Sequence, residues 1–151
     1  MSLATVYSRA LNGMDAPLVE VEAHLANGLP AFNIVGLPDT EVKESRDRVR
    51  AAILQSGFDF PAKKITVNLA PADLPKDSGR FDLPIAIGIL VASGQVLADD
   101  VAQYEFAGEL ALSGRLRSIR GALAMAVSCA NSGRAFVLPS DSAAQAALLE
   151  H

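Results

Sequence analysis

Apolar and polar residues alternate along several short segments of the chain, a pattern that predicts β-strands. The segment from Leu18 to Ala26 shows it most clearly, with Val, Ala and Leu on one face and Glu and His on the other. Similar patterns predict strands over residues 3–9, 29–35, 63–70, 104–112, 115–119 and 135–138. The turn signal Asn27-Gly28 predicts a hairpin in which the strand over 29–35 returns beside the strand over 18–26.

Four segments show helical patterns instead of alternation. From Asp39 to Ser56 the apolar residues form one stripe, which predicts an amphipathic helix capped by Asp39 or Thr40. Residues 85–92 are apolar throughout and predict a buried helix, in which Gly88 permits close packing on the sheet. Residues 121–132 and a segment opening at 139–141 predict two more helices. This order of elements predicts an α/β fold, an α+β sandwich with helices packed on a mixed sheet.

A constrained loop, residues 71–84, joins the strand over 63–70 to the buried helix, and we call it the central loop. Pro71, Pro75 and Pro84 fix φ, Gly79 permits an unusual backbone angle, and Asp82 stands where a helix N-cap is expected. The loop also carries the charged residues Asp73, Lys76, Asp77 and Arg80. It is either a site of chemistry or a stiff connection with solvated charges.

Composition sets the class of protein. The 151 residues are half apolar, enough for one core. Cys129 is the only cysteine and is expected to be a small buried hydrophobe. A lone cysteine and no signal-peptide pattern predict a cytoplasmic protein, and no apolar run is long enough to span a membrane. Leu149-Glu150-His151 resembles the start of a vector-encoded tag, so the domain is expected over 1–148.

Positive charge is concentrated in the middle of the chain. The formal net charge is −4, yet residues 43–80 carry eight basic and five acidic side chains. Lys43, Arg46 and Arg50 lie on one flank of the predicted helix, whereas Arg48 faces Glu44 on the other side. With Lys63, Lys64, Lys76 and Arg80 they are the candidate contacts to phosphates or to a neighbouring subunit. The alternative is a solvated face braced by local ion pairs.

Most catalytic signatures are absent from the sequence. Neither phosphate-binding motif, G-x-x-x-x-G-K-[ST] or G-x-G-x-x-G before a helix, occurs, so no cofactor is expected in this chain. His24 shares a strand face with two carboxylates, where a solvated face is the alternative to a metal ligand. Asp73, Asp77 and Asp82 suit either Mg²⁺ or turn and cap roles. We predict no metal site and no catalytic residue.

Several longer runs carry a family resemblance. They are G-L-P-A-F-N-I-V-G-L-P-D-T (28–40), V-K-E-S-R-D-R-V-R-A-A-I (42–53), N-L-A-P-A-D-L-P-K-D (68–77), R-F-D-L-P-I-A-I (80–87) and G-E-L-A-L-S-G (108–114). They resemble the N-terminal domain of the ComM/YifB proteins, often called magnesium-chelatase-like. The resemblance implies a ribosomal protein S5 domain 2-like fold, shared with the proteolytic domain of Lon. It also implies a following AAA+ ATPase domain that binds ATP and Mg²⁺.

The likeness to Lon raises an ATP-dependent serine protease as a rival function. The position of the Lon nucleophile falls on Arg80 or, with a small insertion, on Phe81 or Asp82, and the position of its lysine falls on Leu123. Ser78 and Lys76 are too close in one loop to replace that pair. The sequence therefore favours the fold of the protease without its chemistry.

The leading hypothesis is a non-catalytic assembly and DNA-contact module of a hexameric AAA+ helicase that drives branch migration in transformation and recombination. Its expected partners are its own AAA+ domain, further copies of itself and DNA bound independently of sequence, with no membrane. The alternative is a purely structural oligomerisation scaffold.

Overall fold

A six-stranded mixed β-sheet frames the domain in the computed structural model, which describes residues 2–142. The strands in this range are β1 (Leu3–Arg9), β2 (Leu18–Ala26), β3 (Ala31–Val35), β4 (Lys64–Ala70), β5 (Tyr104–Phe106), β6 (Glu109–Leu110), β7 (Leu116–Arg117) and β8 (Ala135–Val137). The helices are α1 (Thr40–Lys43), α2 (Ser45–Gln55), α3 (Asp82–Ala92) and α4 (Ala122–Ser132). The predicted α/β class with a mixed sheet is confirmed.

Strand order in the main sheet is β3-β4-β2-β1-β5-β8, and β6 and β7 form a separate hairpin. Among the described strands of this sheet, β2 alone runs against its neighbours, pairing antiparallel with β1 and β4. The pairs β3–β4, β1–β5 and β5–β8 are parallel. The other five strands of this sheet therefore run in the same direction. As a result, β3, β4, β5 and β8 end at the same edge of the sheet.

The predicted β2–β3 hairpin is wrong. β4 lies between these strands, and β3 pairs with β4 in parallel register, with Ile34 opposite Val67. The alternation correctly predicted each strand but contains no information about its neighbour. The connection through α1 and α2 is long enough for a parallel crossover, which the turn signal at Asn27-Gly28 did not indicate.

Two predicted elements are divided in the structure. The helix over 39–56 breaks at Glu44 into α1 and α2, although Asp39 caps it as expected, its Oδ1 accepting from Val42 N at 2.9 Å. The strand over 104–112 ends at Phe106 and resumes in the β6–β7 hairpin. The break follows because Gly108 N donates to Arg80 O and Gly108 O accepts from Leu83 N, instead of continuing the ladder.

The main core lies between the sheet and α2 and α3. Alternate residues of β1, β2 and β4 point into it, and α3 contacts β1 and β2 directly. Gly88 makes this approach possible, because a Cβ there would lie 3.2 Å from Ala23 Cβ. A second, smaller cluster forms around Met125 of α4 with Ala16 and Ala107. None of the helices within residues 2–142 has the length and apolarity needed to cross a lipid bilayer.

Residues 140–142 are helical, as the predicted last helix requires. The rest of that helix and the proposed tag at 149–151 lie outside the described residues.

Candidate functional site

The central loop crosses the edge of the sheet where β3 and β4 end. Beyond β3, residues 36–39 run beside it: Lys76 N donates to Leu37 O at 3.2 Å and Asp39 N donates to Lys76 O at 3.0 Å. The carboxyl edge of parallel strands is where α/β proteins commonly place ligands. Here two loops already occupy that edge, joined by their main chains.

Lys76 is buried, with 1% of its surface exposed. Its Nζ donates to Gly36 O at 2.6 Å and to Pro71 O, so the ammonium joins the two loops from inside. Burial lowers the pKa of Lys76, and the nearby Asp73 only partly opposes this effect. In this conformation the Lys76 side chain therefore links the two loops by buried hydrogen bonds and is not available to solvent.

Arg80 is also 1% exposed and points towards the start of α4. One nitrogen, Nη1, donates to Arg120 O at 2.9 Å, and Nε donates to Ser78 Oγ at 3.0 Å. Its closest carboxylate, Asp77, lies 3.9 Å away and is half exposed. Burial lowers the pKa of Arg80, and Asp77 partly offsets that effect.

Asp82 is not the predicted N-cap of α3. It is the first residue of the helix, and its side chain is fully buried. Its carboxylate accepts two bonds from Arg48, at 2.6 and 3.1 Å, and a third from Leu110 N at 3.0 Å. Asp82 therefore joins α2, α3 and β6, and Arg48 is bound to it more closely than to Glu44, 3.9 Å away.

Three of the other predicted loop residues, Pro71, Gly79 and Pro84, have identifiable structural roles. Pro71 follows a cis peptide bond and its carbonyl holds Lys76. Pro84 lies in the first turn of α3. Main-chain N–H groups in that turn form no hydrogen bond within the helix, so the N–H that proline lacks is not missed. Gly79 packs against Glu109, whose Oε1 would lie 2.6 Å from a Cβ at that position. Pro75 is exposed.

The central loop presents negative charge to solvent. Asp73 and Asp77 are exposed, whereas Lys76 and Arg80 point inward. The loop therefore offers no basic surface in this conformation. Within residues 2–142 no group of three His, Cys, Asp or Glu side chains is placed to hold a metal ion. Of the three loop aspartates, Asp82 is buried and bonded to Arg48, whereas Asp73 and Asp77 are exposed.

The other five predicted cations are exposed. Lys43, Arg46, Arg50 and Lys63 lie on the side of the domain formed by β3, α1 and α2, and we call these four the basic flank. Lys64 points to the opposite face of the sheet, because it alternates along β4 with the buried Ile65. Arg46 Nη1 reaches Phe32 O on β3 at 3.5 Å, and Lys63 O accepts from Ala31 N at 3.2 Å. The exposed Asp47 lies on α2, and among the described residues it forms no ion pair with the cations of the basic flank.

An aromatic cleft lies within the basic flank. The rings of Phe32 and Phe60 are 5.7 Å apart and tilted by 39°. The guanidinium carbon of Arg50 lies 5.2 Å from the centre of the Phe60 ring. A cavity of about 310 Å³ opens between these side chains and Lys63. The cations were predicted from the sequence, but Phe32 and Phe60 were not, because they lie far apart along the chain and form no local pattern.

A buried ionic network lies near the opposite edge of the sheet, around β5, and the sequence did not predict it. Glu105 is fully buried and accepts from Arg9 at 2.7 and 2.9 Å, from Ser132 at 2.9 Å and from Arg134 at 3.0 Å. Burial alone raises the pKa of Glu105, but these bonds outweigh it and the pKa is lowered overall. The network joins β1, β5 and α4. A lone Glu within the apolar strand Tyr104–Phe106 was its only sequence signal.

Cys129 is buried as predicted, with 1% exposure, and burial next to Glu105 raises its pKa to about 12. Relative to an ordinary thiol pKa of 9.0, that rise reduces the thiolate population about 1,000-fold. We expect a thiol reagent at neutral pH to leave Cys129 unmodified in the folded chain and to label it fully in denaturant. Full labelling without denaturant would contradict the packing of α4.

The chain matches one protein family and is similar to several known proteins. The family described as "Subunit ChlI of Mg-chelatase" matches residues 21–142. The chain is 53% identical over 149 residues to "Uncharacterized protein YifB" of Salmonella typhimurium and 54% identical over 149 residues to "Competence protein ComM" of Haemophilus influenzae. In both cases 99% of this chain is covered but only 29% of the relative.

A more distant relative, "Uncharacterized protein Mb2921c" of Mycobacterium bovis, is 38% identical over 151 residues and is covered to 30% of its length. The chain thus spans less than a third of the relatives it matches. It belongs to the family described as subunit ChlI of Mg-chelatase and, within it, to the group of the ComM and YifB proteins.

Proposed function

We propose that the chain is a non-catalytic assembly and DNA-contact module of a ComM-like protein, and that the basic flank contacts the phosphates of DNA. The observation that carries this proposal is the presence of four exposed cations on one flank of an acidic domain. Long basic side chains that meet phosphates bind independently of sequence. Of the eight basic residues in 43–80, Arg48, Lys76 and Arg80 have their side chains bonded inside the fold, whereas the side-chain bonds of Arg46 and Lys63 lie at the exposed surface.

The whole-protein role is part of the proposal. One relative is named a competence protein, and that name motivates DNA as the ligand. We propose that the chain acts beside an AAA+ ATPase domain, which would bind ATP and Mg²⁺, in a hexameric helicase active in branch migration. The domain itself would supply contact and assembly.

The geometry of the central loop supports a non-catalytic role. A serine–lysine protease needs the lysine to take the proton of the serine hydroxyl. Here Lys76 Nζ bonds to two carbonyls, and Ser78 Oγ accepts a bond from Arg80. Arg80, at the position expected for the nucleophile, is buried and fixed to Arg120.

The scaffold alternative is favoured by one feature. A cavity of about 190 Å³ lies between α2, α3 and the β6–β7 hairpin, lined mainly by apolar side chains that include Phe58, Ile87 and Leu116. Phe58 and Leu116 are each more than a third exposed. Such a surface suits a neighbouring subunit or domain.

The proposed function is tested by charge reversal on the flank. We expect Arg46→Glu/Arg50→Glu to weaken binding of fluorescent DNA, measured by anisotropy, at least about tenfold at roughly 50 mM salt. The slope of log affinity against log salt should fall by about 2 in magnitude, because two phosphate contacts are removed.

The matched control is Arg115→Glu/Arg117→Glu, which reverses two equally exposed cations on and next to β7. Equal losses in both variants would mean that net charge alone matters and would contradict contact by the flank. No binding by the unmodified chain, even at low salt, would refute the DNA-contact proposal and leave the scaffold.

A further inference from the structure

The aromatic cleft within the basic flank has a chemistry that phosphate binding does not require. Its walls are Phe32, Phe60 and the guanidinium of Arg50, with Pro30, Pro61 and Lys63 at the rim. Cations suffice to hold a phosphate backbone, whereas aromatic rings beside them offer a surface on which a planar group can stack. From this we infer that the cleft receives an unpaired base, so that single-stranded nucleic acid is the preferred ligand of the basic flank.

The size and composition of the cleft fit one base. Its volume of about 310 Å³ is at the small end of ligand pockets. Phenylalanine rings and arginine guanidinium planes are the surfaces on which proteins stack exposed bases. Stacking of this kind tolerates every base, which agrees with recognition independent of sequence.

The cleft is fixed by the fold. Phe32 and Phe60 are half-buried and pack against the main core, so their rings are held before any ligand arrives. Arg50 projects from α2 over Phe60, and Arg46, one turn away, bonds to Phe32 O. A rigid site loses little conformational entropy on binding.

Charge around the cleft suits the backbone that carries the base. Lys63 lies on one side and Arg46 and Arg50 on the other, all exposed. Lys63 Nζ now donates to Asn27 Oδ1, an exposed bond that a phosphate can replace. In a duplex, bases are paired and stacked inside the helix, so only the cations would make contact. This inference rests on the proposed function, because it specifies that the DNA bound by the basic flank is single-stranded.

The test compares Phe60→Leu with the unmodified chain. Leucine keeps the apolar packing on the core but removes the ring, and a melting curve checks that the fold is retained. We expect affinity for a short oligothymidylate to fall about tenfold, in the range measured for one stacked base. Affinity for a duplex of equal length and the salt dependence of both should stay unchanged, because no charge is removed.

The matched control is Phe58→Leu, which removes a ring two residues away that lines the other cavity, beside α3. Equal effects of the two variants, or equal loss for single strand and duplex, would overturn the inference while leaving phosphate contact intact. Absence of DNA binding by the unmodified chain would overturn the proposed function with it. In a photocrosslinking experiment, oligothymidylate substituted with 5-iodouracil should attach to the peptides that contain Phe32 or Phe60. Attachment to other peptides only would contradict binding of a base in the cleft.

Discussion

Replacing Glu105 by glutamine is expected to lower the free energy of unfolding by about 3–5 kcal/mol at neutral pH. The carboxylate is fully buried and accepts two bonds from Arg9. Glutamine has nearly the same volume but no charge, so the buried guanidinium of Arg9 loses its counter-ion. Urea unfolding of both chains measures the difference, with Glu20→Gln on the exposed face of β2 as a control expected within about 0.5 kcal/mol.

The pH dependence of this difference has a defined sign. The folded-state pKa of Glu105 lies below its ordinary value of 4.5, owing to the bonds that outweigh burial. The stabilisation is therefore complete above pH 4.5 and is lost as the pH falls through the folded-state pKa. The two chains should approach equal stability in that acid range. A gap that stays constant or widens on acidification would contradict the network as the source of stability.

Replacing Asp82 by alanine is expected to destabilise the fold by about 3 kcal/mol. The change removes both bonds from Arg48 and leaves Leu110 N without its acceptor inside the protein. The expected cost is smaller than for Glu105 because Arg48 is partly exposed and can turn to water. Asparagine should recover part of the loss, since its carbonyl can still accept from Leu110 N.

The control for Asp82 is Asp47→Ala, which removes an exposed carboxylate from α2 and should change stability by less than about 0.5 kcal/mol. Unfolding by urea gives both values. If Asp82→Ala were as mild as Asp47→Ala, the link between α2, α3 and β6 would contribute little. The charge of Asp82 would then have to be attributed to function instead of folding.

Patterns of apolar residues predicted most elements but not their neighbours. The alternation over β1 and β2 gave both strands with their observed ends, because one face of each is buried and the other meets solvent. The same signal cannot say that β4 separates β2 from β3, since pairing depends on the α1–α2 crossover. Gly88 was predicted correctly from its cost in a helix, which must be offset by close packing.

Side-chain charges in loops were the least predictable feature. Lys76 and Arg80 were interpreted as surface cations because charged loop residues usually meet water. Their carbonyl partners, Gly36 and Arg120, lie 40 residues away from them in opposite directions along the chain. Arg9 and Glu105 are separated by 96 positions. Such pairs form only once the fold brings distant segments together.

The basic flank was predicted in part, because helical spacing alone placed Lys43, Arg46 and Arg50 together. The fold then placed Lys63 beside them, next to β3, whereas Lys64 points to the opposite face of the sheet. The DNA contact of all five stays a prediction.

The most direct test of the account is to map which backbone amides change their NMR chemical shifts as oligothymidylate is added to the 151-residue chain. We predict that the shifts cluster in residues 30–32, 43–50 and 58–64, where the basic flank and its cleft lie. Shifts confined to the central loop or to the β6–β7 hairpin, with the flank unchanged, would contradict it.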